Sequence, residues 1–328
     1  MKNIAIVILN WNGVNLLEKF LPSVFKYSQQ AQIYLADNAS TDESVEFVKK
    51  NYPTVKIIVN DRNYGYAEGY NKALFYVSEP ILCLLNSDIE VTENWLDSIE
   101  ATFNENKKIA IVQPQILAYN NKNLYEYAGA AGGFIDKFGF AYCRGRLFET
   151  LEEKNIYSSA PIFWASGACL FIRNAVYKEL NGFDEDFFAH QEEIDLCWRA
   201  YNKDFETYYC ANSTVYHVGG ATLEQSNPKK TFLNFRNNLF VLAKNLPKNK
   251  LIPIIFSRLC LDGIAGIRLF FQGKFKHVWA IVKSHFAFYR MLKTMLKKRD
   301  VTQKTNYYNS KSIIYLYFIR NIKKFNEI

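Results

Sequence analysis

Five short apolar runs, Ile4–Leu9, Gln32–Ala36, Val55–Val59, Ile81–Leu85 and Ile109–Gln113, are separated by stretches with helical spacing at Leu16–Tyr27, Asp42–Asn51, Gly69–Val77 and Trp95–Phe103. A run with no polar alternation, such as Ile4–Leu9, suits a strand covered on both faces, which is the condition of a parallel sheet flanked by helices. The alternation predicts an α/β domain with a Rossmann-like, mostly parallel sheet. In such sheets ligands lie beyond the carboxyl ends of the strands. Polar clusters fall at four successive ends: Asn10 and Asn12 with Gly13, Asp37 with Asn38, the segment holding Asn63, Gly65 and Asn71, and Asn86-Ser87-Asp88.

Beyond the fifth run, residues 114–160 read as loops and short antiparallel strands rich in Gly, Tyr and Phe. Phe163–Arg173 and Thr207–His217 read as strands, Gly182–Arg199 as a turn entering a helix, and Lys229–Lys244 as a helix. Pro247 and Pro253 mark a boundary between residues 1–245 and 246–328. Charge divides at the same place. Residues 246–328 hold 17 Lys and Arg against 3 Asp and Glu, a net of +14, and residues 1–245 carry 23 against 29, a net of −6. Past Pro253, apolar residues such as Phe275, Val278, Trp279, Val282 and Phe286 interleave with Lys274, Lys276 and Lys283 at helical spacing, a basic amphipathic pattern. That pattern fits attachment to a membrane surface, a dimerisation region, or helices packed on the body. Nucleic acid is the weaker reading, because the cations lie among aliphatic runs with no recognised binding motif.

Other classes lose ground. The first turn lacks G-x-G-x-x-G, and no G-x-x-x-x-G-K-[ST] occurs, against dinucleotide enzymes and P-loop phosphotransferases. The six cysteines show no C-x-x-C spacing and read as buried free thiols in a reducing compartment. The N-terminus lacks the length and cleavage site of a signal peptide. No uncharged apolar window of about 18 residues suggests a membrane span. The expected location is cytoplasmic, at the inner face of the membrane.

Several side chains carry candidate chemistry. Asp37 can accept hydrogen bonds from a ribose or base, while Thr41 or Asp42 can cap the following helix. Asp88 offers a hard oxygen to a divalent cation bridging a diphosphate, or is simply a turn residue. Six acids within Asp184–Asp195, Glu192 and Glu193 among them, suit either a helix N-terminus or removal of a proton from an acceptor hydroxyl. His217, followed by Gly219-Gly220, could be a metal or phosphate ligand or a structural strand-end residue. Arg236 with Asn237 could reach phosphate oxygens or lie exposed on a helix.

Taken in order, N-W-N-G, D-N-A-S-T-D, N-x-G-Y-A-E-G-x-N, L-L-N-S-D, S-G-A-C-L-F-I-R, G-F-D-E-D-F-F-x-x-x-E-E-I-D-L-C-W-R, H-V-G-G and R-N-N resemble glycosyltransferase family 2, its rhamnosyltransferase-like branch, across roughly residues 1–245. The resemblance implies a GT-A fold, a nucleoside-diphosphate sugar donor, a Mg or Mn ion, and inversion at the anomeric carbon. It places Asp37 at the base or ribose, Asp88 on the metal, Glu193 as the catalytic base and His217 beside the metal-bound diphosphate. Asn-Ser-Asp in place of Asp-x-Asp offers the metal one carboxylate. Glu-Glu in place of Glu-Asp leaves the choice between Glu192 and Glu193 open. The acceptor is expected to be a glycan or a lipid-linked sugar in surface polysaccharide assembly, and rhamnose is favoured as the donor sugar by the resemblance alone. The competing readings are a sugar nucleotidyltransferase, whose glycine-rich signature loop Asn10–Gly13 does not match, and a non-catalytic membrane-bound partner of the same fold.

Overall fold

The computed structural model describes residues 2–126, 129–219, 227–300 and 302–328. In chain order the elements are β1 Ile4–Asn10, α1 Val14–Tyr27, β2 Gln32–Asp37, α2 Ser44–Asn51, β3 Lys56–Val59, α3 Ala67–Leu74, β4 Ile81–Asn86, β5 Ile89–Val91, α4 Asp97–Glu105, β6 Ile109–Ala118 and β7 Asn121–Tyr125. Then come β8 Gly133–Ile135, β9 Ala141–Cys143, β10 Arg146–Leu147, β11 Thr150–Leu151, β12 Ala160–Ile162, β13 Cys169–Arg173, α5 Asn174–Glu179, α6 Glu192–Asn202, β14 Glu206–His217, α7 Pro228–Asn245, α8 Lys248–Phe271 and α9 Phe275–Lys297.

The main sheet runs β12-β14-β6-β13-β4-β1-β2-β3. Period-two alternation hands each central strand to both faces. Ala5 and Val7 of β1, with Leu82 and Leu84 of β4, pack among Tyr70 and Leu74 of α3. Ile4, Ile6 and Ile8, with Cys83 and Leu85, pack among Leu17, Leu21 and Val24 of α1 and Val48 of α2. Covering both faces is what the unbroken apolar runs require.

Two features depart from the sequence reading. The expected strand at Phe163–Arg173 is confined to Cys169–Arg173, and it enters the sheet reversed, antiparallel to both β4 and β6. This reversal brings the start of β13 to the edge where β1, β2 and β4 end. Pro253 also marks no boundary. It lies inside α8, whose start is set by Pro247 at the N-cap. A proline near a helix start forfeits few backbone bonds. Five cysteines are buried as expected, but Cys260 is exposed on α8.

The basic tail packs on the body. Phe288 and Met295 of α9 are fully buried in the core cluster that also holds Phe240 of α7. Arg299 donates to the carbonyls of Ala243 and Leu246, and Lys298 reaches Asp184 and Asp186 at 2.5 and 2.6 Å. Further on, the Ile313 amide donates to Asp136, and Phe325 and Tyr317 cover the small sheet β8–β11 through Phe134, Tyr142 and Phe148.

Candidate functional site

At the tips of β1 and β2, which pair Asn10 with Asp37, the polar residues lock together. Asp37 is only 1% exposed. Its Oδ2 accepts from Asn10 Nδ2 at 3.0 Å and Ser40 Oγ at 2.6 Å, and its Oδ1 accepts from the Ser40 amide at 2.8 Å. Asn12, with φ of 50°, accepts from the Thr41 amide. Asp42, and not Thr41, ties the helices: its Oδ1 accepts from the Ser44 amide and its Oδ2 from the Val14 amide, joining the starts of α2 and α1. The Asn10 Oδ1 is buried without a partner among the described residues. Asn38 donates to the Gly65 carbonyl and accepts from Asn60, so it joins the loops after β2 and β3.

The segment after β3 leads toward the acid-rich loop. Asn63 is exposed and accepts from the Gly65 amide. Gly65 adopts φ of +73°, and a Cβ there would lie 2.7 Å from the Phe188 ring. Asn71 clamps both the amide and the carbonyl of Phe183. Arg236 donates to the carbonyls of Asp186 and Phe187, and Asn237 to those of Phe187, Ala189 and His190. Asn71 and Arg236, both candidates for contact with the donor, hold the loop before α6.

Asn86-Ser87-Asp88 joins β4 to β5. Leu9 pairs with Asn86, and Gly13 sits beside both Asn10 and Ser87, so the β1 and β4 tips are contiguous. His217, opposite Ile89 in the β14·β5 pair, presents Nε2 to Asp88 Oδ1 at 3.2 Å. Its Nδ1 lies 3.4 Å from Glu126 Oε2. All three side chains are buried. Burial alone would lower the His217 pKa, but hydrogen bonds and charge from Asp88 and Glu126 outweigh it and raise the imidazole to about 10. A carboxylate oxygen and an imidazole nitrogen about 3 Å apart are spaced as two neighbouring ligands of one ion at about 2.1 Å would be. In the arrangement described, the imidazolium is ion-paired to Asp88, so a divalent cation would take one oxygen from Asp88 and one nitrogen from His217 only by displacing the Nε2 proton. Asp88 and Glu126 approach opposite ring nitrogens and cannot share that ion, and among the described residues no three such side chains form a metal cluster. Glu126 was missed from sequence: it is a lone acid in an irregular stretch with neither period nor motif. Gly219 packs on it, where a Cβ would meet its Oε1 at 2.6 Å. Gly220 lies outside the described residues.

The six acids divide cleanly. Asp184 caps a short turn at Glu185–Phe187 and pairs with Lys244 and Lys298. Asp186 pairs with Lys298, Asp195 with Arg199 and Lys244, and Glu185 accepts from Asn71. Glu192 and Glu193, which open α6, have no such cation, and the Oε2 of each is buried without a partner among the described residues. Burial pushes the Glu193 carboxyl up to about 7, and burial followed by the charge of Glu193 pushes Glu192 well above its ordinary value. Burial and Lys230 hold His190 down to about 4, so its ring is neutral. Phe188, His190 and Gln191 all take positive φ, at 65°, 71° and 75°. Left-handed backbone costs such residues roughly 1–2 kcal/mol each, so strain gathers where partnerless carboxyls do.

Two links bring this centre to the strand tips. The Tyr66 hydroxyl donates to the Gly167 carbonyl at 2.6 Å, and a Cβ on Gly167 would lie 3.9 Å from the Glu193 Cβ. The adjacent Ala168 carbonyl accepts from the Asn86 amide. Asp37, Asp88, His217 and Glu193 thus lie at one edge of the sheet, Asp88 and His217 in direct contact.

The model of the family described as Glycosyl transferase family 2 matches residues 5–181. The chain is 22% identical over 288 residues to the low-salt glycan biosynthesis hexosyltransferase Agl10 of Haloferax volcanii, covering 85% of this chain and 88% of that protein. It is 25% identical over 226 residues to the N-acetylglucosaminyl-diphospho-decaprenol L-rhamnosyltransferase of Mycobacterium tuberculosis, with 61% and 71% covered. Among solved structures it resembles the mannosyltransferase PcManGT of Pyrobaculum calidifontis in complex with GDP-Man and Mn2+, with TM-score 0.52, 11% identity, and 90% and 83% covered. That likeness shows the fold, a GT-A α/β sheet flanked by helices.

Proposed function

The chain belongs to glycosyltransferase family 2, a glycosyltransferase of glycan biosynthesis, and from that premise we propose an inverting transfer of a sugar, rhamnose in the first instance, from a nucleoside-diphosphate donor to a glycan or lipid-linked acceptor at the inner face of a membrane. The interlocked tips around Asn10 and Asp37 form the floor for the nucleoside. Asp88 Oδ1 and His217 Nε2 would hold a Mg or Mn ion. Such an ion, when bound, offsets the charge of the departing diphosphate. Glu126, 3.4 Å from Nδ1 on the far side of the imidazole, would orient the ring for that task.

Glu193 takes the proton from the acceptor hydroxyl as that oxygen bonds to the anomeric carbon. The bond from that carbon to the diphosphate breaks, and its electron pair leaves with the nucleoside diphosphate. A base poised near neutral pH is matched to this task. Glu193 is only partly buried whereas Glu192 is buried, so Glu193 is the member of the pair that an acceptor hydroxyl can reach, which favours it as the base. The observation that carries the reading is this pair of carboxyls, which meet no cation among the described residues and whose Oε2 atoms are buried there without a partner, while the four neighbouring acids are engaged, on the sheet edge that also holds Asp88 and His217. Donor hydrolysis tests it. With a panel of nucleotide sugars and Mn, release of nucleoside diphosphate should vanish in Asp88→Ala and fall about 100-fold or more in Glu193→Gln. Unchanged release in both variants would refute the assignment.

A further inference from the structure

α8 has two unlike faces. Ile254, Arg258, Asp262 and Gly266, spaced every fourth residue, are buried, with Arg258 and Asp262 paired to each other at 2.9 Å and Asp262 beside His285 of α9. On the other side Ile252, Phe256, Ile264, Ile267 and Phe271 are 79, 68, 62, 59 and 83% exposed. No charge interrupts that outer stripe from Ile252 to Ile267, because the two ionised residues in the interval point inward. From Ile252 to Phe271 the stripe runs about 30 Å at 1.5 Å per residue. At the turn into α9 it is widened by exposed Phe270, Phe275 and Trp279, and there Lys274, Lys276 and Lys283 are exposed too.

The face is uninterrupted for about 23 Å, from Ile252 to Ile267, with exposed Arg268 flanking its far end, and that is far beyond the scattered apolar residues normal on a protein surface. Among the described residues no helix is long and apolar enough to cross a membrane, so the stripe lies on a surface and does not span one. Charge selects the surface. Two copies meeting through this face would bring the exposed cations at its rim, Arg268, Lys274, Lys276 and Lys283, against the same cations of the other copy. A nucleic acid needs cations on the contacted face itself, and here that face is uncharged. An anionic lipid leaflet accepts the apolar stripe into its acyl region and the flanking lysines at its headgroups. We propose that the α8–α9 hairpin docks flat on an anionic leaflet, with the outer stripe of α8 and the aromatic turn immersed and Lys274, Lys276 and Lys283 at headgroup level. This deepens the reading that the acceptor is lipid-linked, and rests on it, by naming the part of the chain that holds the enzyme where such an acceptor resides.

Co-sedimentation of the full chain with vesicles tests the proposal, using phosphatidylcholine alone and phosphatidylcholine mixed with phosphatidylglycerol. Wild type should partition onto the mixed vesicles, less onto the neutral ones, and less as salt rises. The triple change Phe256→Ser, Ile264→Ser, Phe271→Ser should lower partition at least about tenfold, since it removes three immersed side chains. Lys274→Glu, Lys276→Glu, Lys283→Glu should abolish the preference for the anionic vesicles. Both variants change exposed residues and should keep the wild-type melting transition and donor hydrolysis. Wild type that ignores both vesicles, or a triple serine variant that binds like wild type, overturns the proposal. So does a wild type that is dimeric and ignores vesicles while the serine variant is monomeric, which would assign the face to a second copy. Vesicle binding without donor hydrolysis would sink the glycosyl-transfer reading alone, and hydrolysis without vesicle binding would sink the docking alone.

Discussion

Glu193→Gln should stabilise the protein while disabling it, and the gain should depend on pH. The carboxyl has an ordinary pKa of 4.5 and is pushed up to about 7, chiefly by burial. A carboxyl whose folded pKa exceeds its unfolded value resists ionisation in the folded state. Wild type therefore loses stability as pH rises from the unfolded pKa, the loss growing up to the folded pKa and staying constant above it. Across the gap from 4.5 to about 7, at about 1.4 kcal/mol per pH unit, the loss is about 3 kcal/mol. Partial exposure of the side chain and the amide's own unmet N–H trim the expected gain to about 2 kcal/mol. The backbone amides at the start of α6 that bond the carboxyl can bond the amide oxygen of Gln instead, and the Glu193 Oε2 has no partner among the described residues to lose. Urea melts of both proteins should show the variant ahead by about 2 kcal/mol at about pH 8 and level with wild type at about pH 4. Equal stability at the higher pH, or a less stable variant there, would mean that the carboxylate is solvated or paired, and the case for it as the base would fail.

Other expectations follow from the same frame. Lys244→Ala leaves buried Asp184 and Asp195 short of a cation and should cost about 3 kcal/mol in urea melts. The Asp195 carboxyl, which burial alone would raise, is brought down to about 2 by Lys244 and Arg199; its contribution is present above the ordinary value of 3.8 and lost as pH falls toward 2, so the variant's acid unfolding should begin at higher pH than wild type's. Gly65→Ala sets a Cβ against the Phe188 ring at positive φ and should cost roughly 1–3 kcal/mol by the same melts, with slower donor hydrolysis. Asn237→Ala strips donors from three loop carbonyls; it should cost roughly 1–3 kcal/mol and lower amide-exchange protection across 187–193.

The sheet was legible because its central strands are buried on both faces, which leaves unbroken apolar runs that single-sequence reading detects well. Strand direction was not legible: Cys169–Arg173 looks the same reversed, since period-two patterning carries no polarity. Asp88 and His217 could be nominated because one follows a strand end and the other closes a strand, and the structure puts them in contact. The division of the acids could not be read, because it depends on Lys244 and Lys298, 60 and 114 positions from Asp184 in the chain. For the same reason the bonds of Asn71 and Arg236 to the loop before α6 could not be read from the sequence. Glu126 sits where the chain has no period at all, and its role rests on Gly219 admitting the side chain.

Lys298 follows directly on α9 and grips Asp184 and Asp186, the two acids that shape the turn leading to Glu192 and Glu193. The C-terminal end of α9 and the turn before Glu192 and Glu193 are therefore mechanically joined. A load applied at the outer helices passes down α9 to that grip within one rigid rod about 35 Å long. Trimming the basic segment to obtain a smaller enzyme would remove a brace as well as an appendage, and the catalytic turn would loosen even in an assay that contains no lipid.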